Sequence, residues 1–235
     1  MSTSSIRIFT LALMAAVLCS LGCGSGTSGT PAGGAGAHAG SGGSAAGGGG
    51  GSAAGGSTGS GSCTVDNWTV TAAAYPSGLT LTSKCSPYTV DSITVKDGGV
   101  LTIEAGATLK FSDNTTIFVG QSGTGKLLVN GTAQNPVTLT TQPNLQLPGG
   151  WYGIEFWSGT ASGSKVTYAT IDYAGGNFDG AIVVESALPA GTLTLDHLTI
   201  DNNDTADGAV PIFMGDGSPT IACSNCTADG TNLTH

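Results

Sequence analysis

Asp196, Asp201, Asp204 and Asp207 fall close together around His197. Hydrolysis of a glycosidic bond needs two carboxylates facing one cleft, one protonated as acid and one ionised. Asp196, Asp201 and Asp204 are therefore candidate catalytic residues. Asp201, Asp204 and Asp207, together with nearby carbonyls, could also supply the oxygens that calcium takes. The plainer reading of Asn202-Asn203-Asp204 is a turn, because these side chains hydrogen-bond local backbone and tolerate left-handed conformations. It is preferred over calcium, since the Gly-rich nonapeptide of dedicated calcium turns is absent. A second constellation is Trp151-Tyr-Gly-Ile-Glu-Phe-Trp157. On strict strand alternation, inward Tyr152, Ile154 and Phe156 leave Trp151, Glu155 and Trp157 on one outer face. Two indoles flanking a carboxylate suit a sugar, with Tyr168 and Tyr173 one coil later, so these three are candidate glycan-binding residues.

Cys23 carries different chemistry. Arg7 precedes an apolar run from Ile8 to Leu18, and Ser20-Leu21-Gly22-Cys23 follows. Charged start, apolar centre and small-residue processing site make a signal peptide. As a helix the run would rise only about 16 Å, roughly half of a bilayer's hydrocarbon core. Gly22-Cys23 resembles the lipobox of bacterial lipoproteins, in which cleavage precedes a lipidated cysteine; Ser20 departs from the usual Leu, and Cys19, after bulky Leu18, fits less well. The resemblance implies residues 1–22 as signal and Cys23 as the lipidation site. Gly24 in the next position implies the outer membrane. Acyl chains bury about 0.8 kcal/mol per methylene, so two or more anchor stably.

From Gly24 to Ser62, 18 of 39 residues are glycine and nearly all the rest Ser, Ala or Thr. Such a segment cannot bury a core, so residues 23–62 read as a lipid-anchored, disordered tether spanning about 35 Å. Residues 63–235 read as one folded domain. With Arg7 removed, five lysines face fifteen carboxylates, a balance that repels nucleic acid and suits a cell exterior. The remaining cysteines, Cys63, Cys85, Cys223 and Cys226, are even in number in an oxidising compartment, so disulfides are expected over zinc. Three pairings are possible; sequence proximity favours Cys63 with Cys85 and Cys223 with Cys226. A redox role for the last pair lacks the helix or flanking cation that lowers a thiol pKa.

The elements that must position these residues are strands. Ser92–Val95, Val100–Ile103, Thr108–Phe111, Thr116–Val119, Lys126–Val129 and Val137–Thr141 are short, β-branched and bounded by Gly, Asn or Asp. No helical spacing of apolar residues occurs outside the leader. The fold class is all-β. The second half repeats: Val166 to Leu193 and Ile171 to Leu198 are steps of 27, and Gly180-Ala181-Ile182 returns as Gly208-Ala209-Val210. A fixed period of this size marks a solenoid, in which each coil buries its apolar face on the next. Thr-x-Thr phrases at Thr80/Thr82, Thr138/Thr140 and Thr192/Thr194 fall at irregular intervals, and strand preference accounts for them.

Leu101-Thr-Ile-Glu-Ala-Gly-Ala-Thr-Leu-Lys-Phe111, Gly125-Lys-Leu-Leu-Val-Asn-Gly-Thr-Ala-Gln-Asn-Pro-Val-Thr-Leu-Thr140, Gly150-Trp-Tyr-Gly-Ile-Glu-Phe156 and Ser218-Pro-Thr-Ile221 together resemble right-handed parallel β-helix (pectin-lyase-like) domains of bacterial surface proteins. The resemblance implies a short solenoid of about five or six coils, or one with an uncapped C-terminal edge. It also implies that the Trp before Gly-Ile packs between coils, against the outward placement above. Lyases of this fold use an Arg base beside calcium-holding carboxylates, and the chain's sole Arg is Arg7. A lysine base would need a lowered pKa, and no Lys has carboxylates at a suggestive spacing. The Asp pair, Gly-flanked His and Arg-x-Lys of galacturonases are missing. The expectation is a non-enzymatic surface lipoprotein with a structural or adhesive role, anchored to the membrane by lipid and binding extracellular polysaccharide or another surface protein, with no cofactor. The alternative is a glycoside hydrolase-like enzyme on the same fold.

Overall fold

The computed structural model describes residues 68–176, 180–185, 188–204, 210–215 and 221–233, with residues 63–65 also described; for 63–65 and 68 only the backbone enters the account. The chain winds as successive three-strand coils. The first holds β1 (Cys63–Val65), β2 (Trp68–Val70) and β3 (Leu79–Leu81). The second holds β4 (Tyr88–Val90), β5 (Ile93–Val95) and β6 (Gly99–Glu104). The third holds β7 (Thr108–Phe111), β8 (Thr116–Val119) and β9 (Gly125–Asn130). Next come β10 (Val137–Thr141), β11 (Gly153–Phe156) and β12 (Ser164–Asp172), which ends one coil and begins another. β13 (Ile182–Val184) leads to β14 (Leu193–Asp201), which does the same, and β15 (Ile212–Met214) leads to β16 (Cys223–Ser224). β17 (Thr227–Ala228) opens a seventh coil and folds back through antiparallel β18 (Thr231–Asn232). Every other strand pairing among the described residues is parallel, the arrangement for which right-handed connections are the rule.

The strands expected over residues 92–141 lie where the β-branched runs placed them, within two residues at each end. The reason is visible in the register, since each inward residue lands on its counterpart one coil away. One interior column is Ile93, Ile117, Ile154, Ile182 and Ile212. A second is Leu81, Ile103, Val129, Val166, Leu195 and Cys223. A third runs Leu109, Leu139, Ile171 and Ile200, closed by Tyr88 and Ala228. All are buried. Each aliphatic side chain so covered contributes about 2 kcal/mol of burial.

The repeat length differs from the sequence reading. Val166 pairs with Leu195, a step of 29, Leu195 with Cys223, a step of 28, and Ile182 with Ile212, a step of 30. Strand side chains alternate with period two, so a shift of two residues keeps every apolar residue inward. Apolar alternation therefore fits 27 and 29 equally. At the true step Tyr168-Ala-Thr-Ile-Asp-Tyr173 lies on His197-Leu-Thr-Ile-Asp-Asn202.

Cys223 and Cys226 form a disulfide. Cys85 is disulfide-bonded as well, while the side chain of Cys63, its expected partner, lies outside the described residues.

Candidate functional site

The tryptophan strand does not present the face that alternation predicts. Trp151 is fully buried, its ring stacked on Phe111 at 3.9 Å and 4°, and its Nε1–H donates to the Asp172 carbonyl at 2.9 Å. The break in alternation is Gly153, whose φ of 112° only glycine adopts freely; a Cβ there would sit 2.4 Å from the Ala181 oxygen. Parity therefore holds from Ile154 onward and fails before it. Ile154 and Phe156 point inward as expected, and Tyr152 is half-buried, donating its hydroxyl proton to Asn114 Oδ1 at 2.6 Å. Glu155 occupies the outer side of β11, in register between Phe118 and Val183, yet it is only 7% exposed. Half-exposed Trp157 donates from Nε1 to Glu155 Oε2 at 3.3 Å. Of the three candidate glycan contacts, Trp157 alone offers surface.

The acidic residues are distributed between corners of the coil. On β14, Asp196 lies 2.9 Å from His197 Nδ1 and accepts from Asn225 Nδ2 at 3.1 Å. The His197 hydrogen bond, with help from Asn225, holds its carboxyl below the usual range. Asp201 ends the same strand, and Asp204 follows the corner, its amide donating to the Ala174 carbonyl at 2.9 Å. Asp207 lies outside the described residues. Glu185, a further carboxylate that a hydrolase could pair with them, follows β13 in the other sheet, its amide bonded to the Phe156 carbonyl. The segment after Asp201 is turn chemistry: Asn202 has φ 53°, and Asn203 Oδ1 accepts from the Ala174 amide at 2.6 Å. Among the described residues no three His, Cys, Asp or Glu side chains gather closely enough to hold a metal ion.

Asp172 is a residue that sequence reasoning passed over. It pairs in register with Asp201 one coil on and accepts from Asn202 Nδ2 at 2.8 Å. Burial pushes its carboxyl above the usual range, the like charges of Asp201 and Asp229 add to that, and the Asn202 bond opposes it.

What the sequence reading does not reveal is that Tyr168 and His197 share an outer row at the corner between two faces. Tyr168, His197 and Asn225 adopt left-handed φ values of 48°, 51° and 55° in successive coils. They interrupt β12, β14 and the β16–β17 junction at one register position, between the pairs Thr167–Asp196 and Ala169–Leu198. The Tyr168 and His197 rings stack at 4.2 Å and 18°. Just beyond the corner, Thr108, Thr138, Thr170, Thr199 and Thr227 fall on one another in five consecutive coils, all half-buried. The Thr-x-Thr phrases are irregular in sequence because they belong to different columns: Thr80 and Thr194 share one with Thr102, Leu128 and Lys165, whereas Thr138 belongs to the threonine column at this corner. An open groove of about 360 Å³ runs beside this corner, from the turn at Pro136 to Thr227.

Against protein-family models the chain matches the pectate-lyase-like β-helix domain over residues 74–193. It belongs to that family. No curated protein and no solved structure matches. In this pectate-lyase-like domain the matched span includes Trp151, Glu155, Trp157 and the Tyr168 corner, while Asp196, His197 and the C-terminal hairpin lie beyond it. Of the residues singled out from sequence, the β-helix brings Asp196 to His197 and Trp157 to Glu155. It brings Asp172, not Asp204, into register with Asp201. The signal for the corner row was present in the text as Tyr-Ala-Thr-Ile-Asp-Tyr over His-Leu-Thr-Ile-Asp-Asn, and a repeat step short by two residues concealed it.

Proposed function

We propose that the protein is an exported lipoprotein, held at the outer membrane or cell surface through a lipid on Cys23, whose β-helix serves a structural or adhesive role and binds an extracellular polysaccharide without cleaving it. The observation that supports a binding role is the axial repetition of the outer surface: the same residue type returns in five consecutive coils. A surface that repeats along one axis matches a ligand that also repeats, which a polysaccharide does and a small metabolite does not. Against catalysis on the described surface stands the placing of the carboxylates. Asp196 is engaged by His197 and Asn225, and Asp201 lies beyond the corner from it.

Palmitate labelling of cells expressing the full chain tests the anchor, and a glycan array probed with the same protein tests the ligand class. The account expects label on the wild type, none on Cys23→Ala, and retention on polysaccharide spots. Label persisting on Cys23→Ala, or an array without a bound glycan, would refute the corresponding half.

A further inference from the structure

We infer that the corner groove formed by Pro136, Tyr168, His197 and the threonines 170, 199 and 227 is the binding site for a neutral polysaccharide chain lying along the solenoid axis; the inference rests on the reading above that the domain binds polysaccharide without cleaving it.

Four observations meet at this corner. The first is shape: an open groove of about 360 Å³ crosses the coils here. Pro136 precedes Val137, which pairs with Ala169, so Pro136, Tyr168, His197 and Asn225 mark the same corner in four successive coils. Three coil steps of about 4.8 Å give a row of about 14 Å, long enough for a few sugar rings.

The second is chemistry. Aromatic rings with a polar handle offer apolar contact and a hydrogen-bonding group together. Tyr168 and His197 are two such rings; stacked on each other at 4.2 Å and 18°, they offer an axial chain their edges and polar handles rather than the faces they share. Thr170, Thr199 and Thr227 add hydroxyls at a constant axial spacing on the groove wall.

The third is preorganisation. His197 is held by Asp196, which Asn225 holds in turn. His197 is therefore oriented, with Tyr168 stacked on it, before a ligand arrives, which lowers the ordering cost of binding.

The fourth is charge. No lysine or arginine lines the groove among the described residues, and the chain carries a formal charge of −9. A polyuronate would meet repulsion with nothing to offset it. A neutral chain meets none.

The corner also supplies its own control. Asparagine already holds the left-handed position in the last coil, at Asn225, and another corner at Asn202. Tyr168→Asn and His197→Asn therefore remove the rings while keeping a residue that tolerates this backbone. The experiment is affinity electrophoresis of the full-length chain in gels containing dextran, mannan or xyloglucan as neutral probes and polygalacturonate as the charged probe, with thermal unfolding run beside it.

The groove predicts that at least one neutral probe retards the wild type, and that the Tyr168→Asn/His197→Asn double variant weakens that retardation about tenfold or more, equivalent to about 1.4 kcal/mol. Thr170→Val with Thr199→Val, which keeps the branched shape and removes two hydroxyls, weakens it as well, and Trp157→Phe leaves it unchanged. Neutral-probe binding that survives the corner variants, or that falls only with Trp157→Phe, overturns the groove while leaving polysaccharide binding intact. Retardation by polygalacturonate alone overturns the assignment of a neutral ligand. No retardation by any probe overturns the groove and the proposed function together.

Discussion

Replacing Trp151 by alanine empties a fully buried site and leaves two partners behind. The indole covers Phe111 face to face at 3.9 Å and satisfies the Asp172 carbonyl at 2.9 Å. Losing a buried Trp to Ala costs about 3 to 5 kcal/mol through transfer and cavity terms, of which the aromatic pair accounts for about 1 kcal/mol. Trp151→Phe keeps most of the ring but strands the Asp172 oxygen, for about 1 to 2 kcal/mol. Urea unfolding of the full chain followed by far-ultraviolet circular dichroism reads both. With a denaturant slope of about 2 kcal/mol/M, Ala lowers the midpoint by about 2 M and Phe by less than 1 M. Polysaccharide retention of the folded Trp151→Phe protein stays at the wild-type level. A Trp151→Ala protein as stable as wild type that has lost binding would refute the structural role given to this residue and restore it to an exposed face.

Other consequences are simpler to state. Asp172 has a folded pKa above its unfolded value, so the folded state holds the proton more tightly and stability falls as pH rises from about 4 through that raised value. Asp172→Asn, which keeps an acceptor for Asn202, raises the melting temperature at pH 7 and changes it little at pH 3; a gain of equal size at both would contradict the assignment. Asp196 behaves oppositely: the support from its His197 bond is present above about pH 4 and is lost as pH falls through its lowered value. Asp196→Asn should flatten that acid limb of the melting curve. Gly153→Ala drives a methyl into the Ala181 carbonyl and should leave little folded protein, whereas Gly191→Ala, with φ 76° and open space around it, costs about 1 kcal/mol.

The β-helix could be read from the chain because each coil repeats a short, β-branched, glycine-bounded phrase, and residues 92–141 carry it without interruption. The repeat length is not set by the apolar pattern. Alternation records only which face a residue takes, so it fits a step of 27 as well as 29, and backbone pairing places Ile171 on Ile200. The tight spots lay in conformations that composition does not report. Gly153 reverses the side of Trp151, and left-handed Tyr168 and His197 sit where asparagine or glycine is the usual choice. Both departures follow from a rare φ at a single residue, which strand periodicity cannot signal. The acidic segment misled for a related reason. Closeness in sequence suggested one cluster, while the corner at Asn202 separates Asp201 from Asp204 and the neighbouring coil sets Asp172 beside Asp201.

Binding without cleavage is tested most directly by incubating the full-length protein with the neutral polysaccharide that retards it and measuring retention and reducing ends in the same sample over time. The account predicts sustained retention with reducing ends at the level of a protein-free control. A steady rise in reducing ends that disappears in Asp196→Asn would contradict it and make the domain an enzyme.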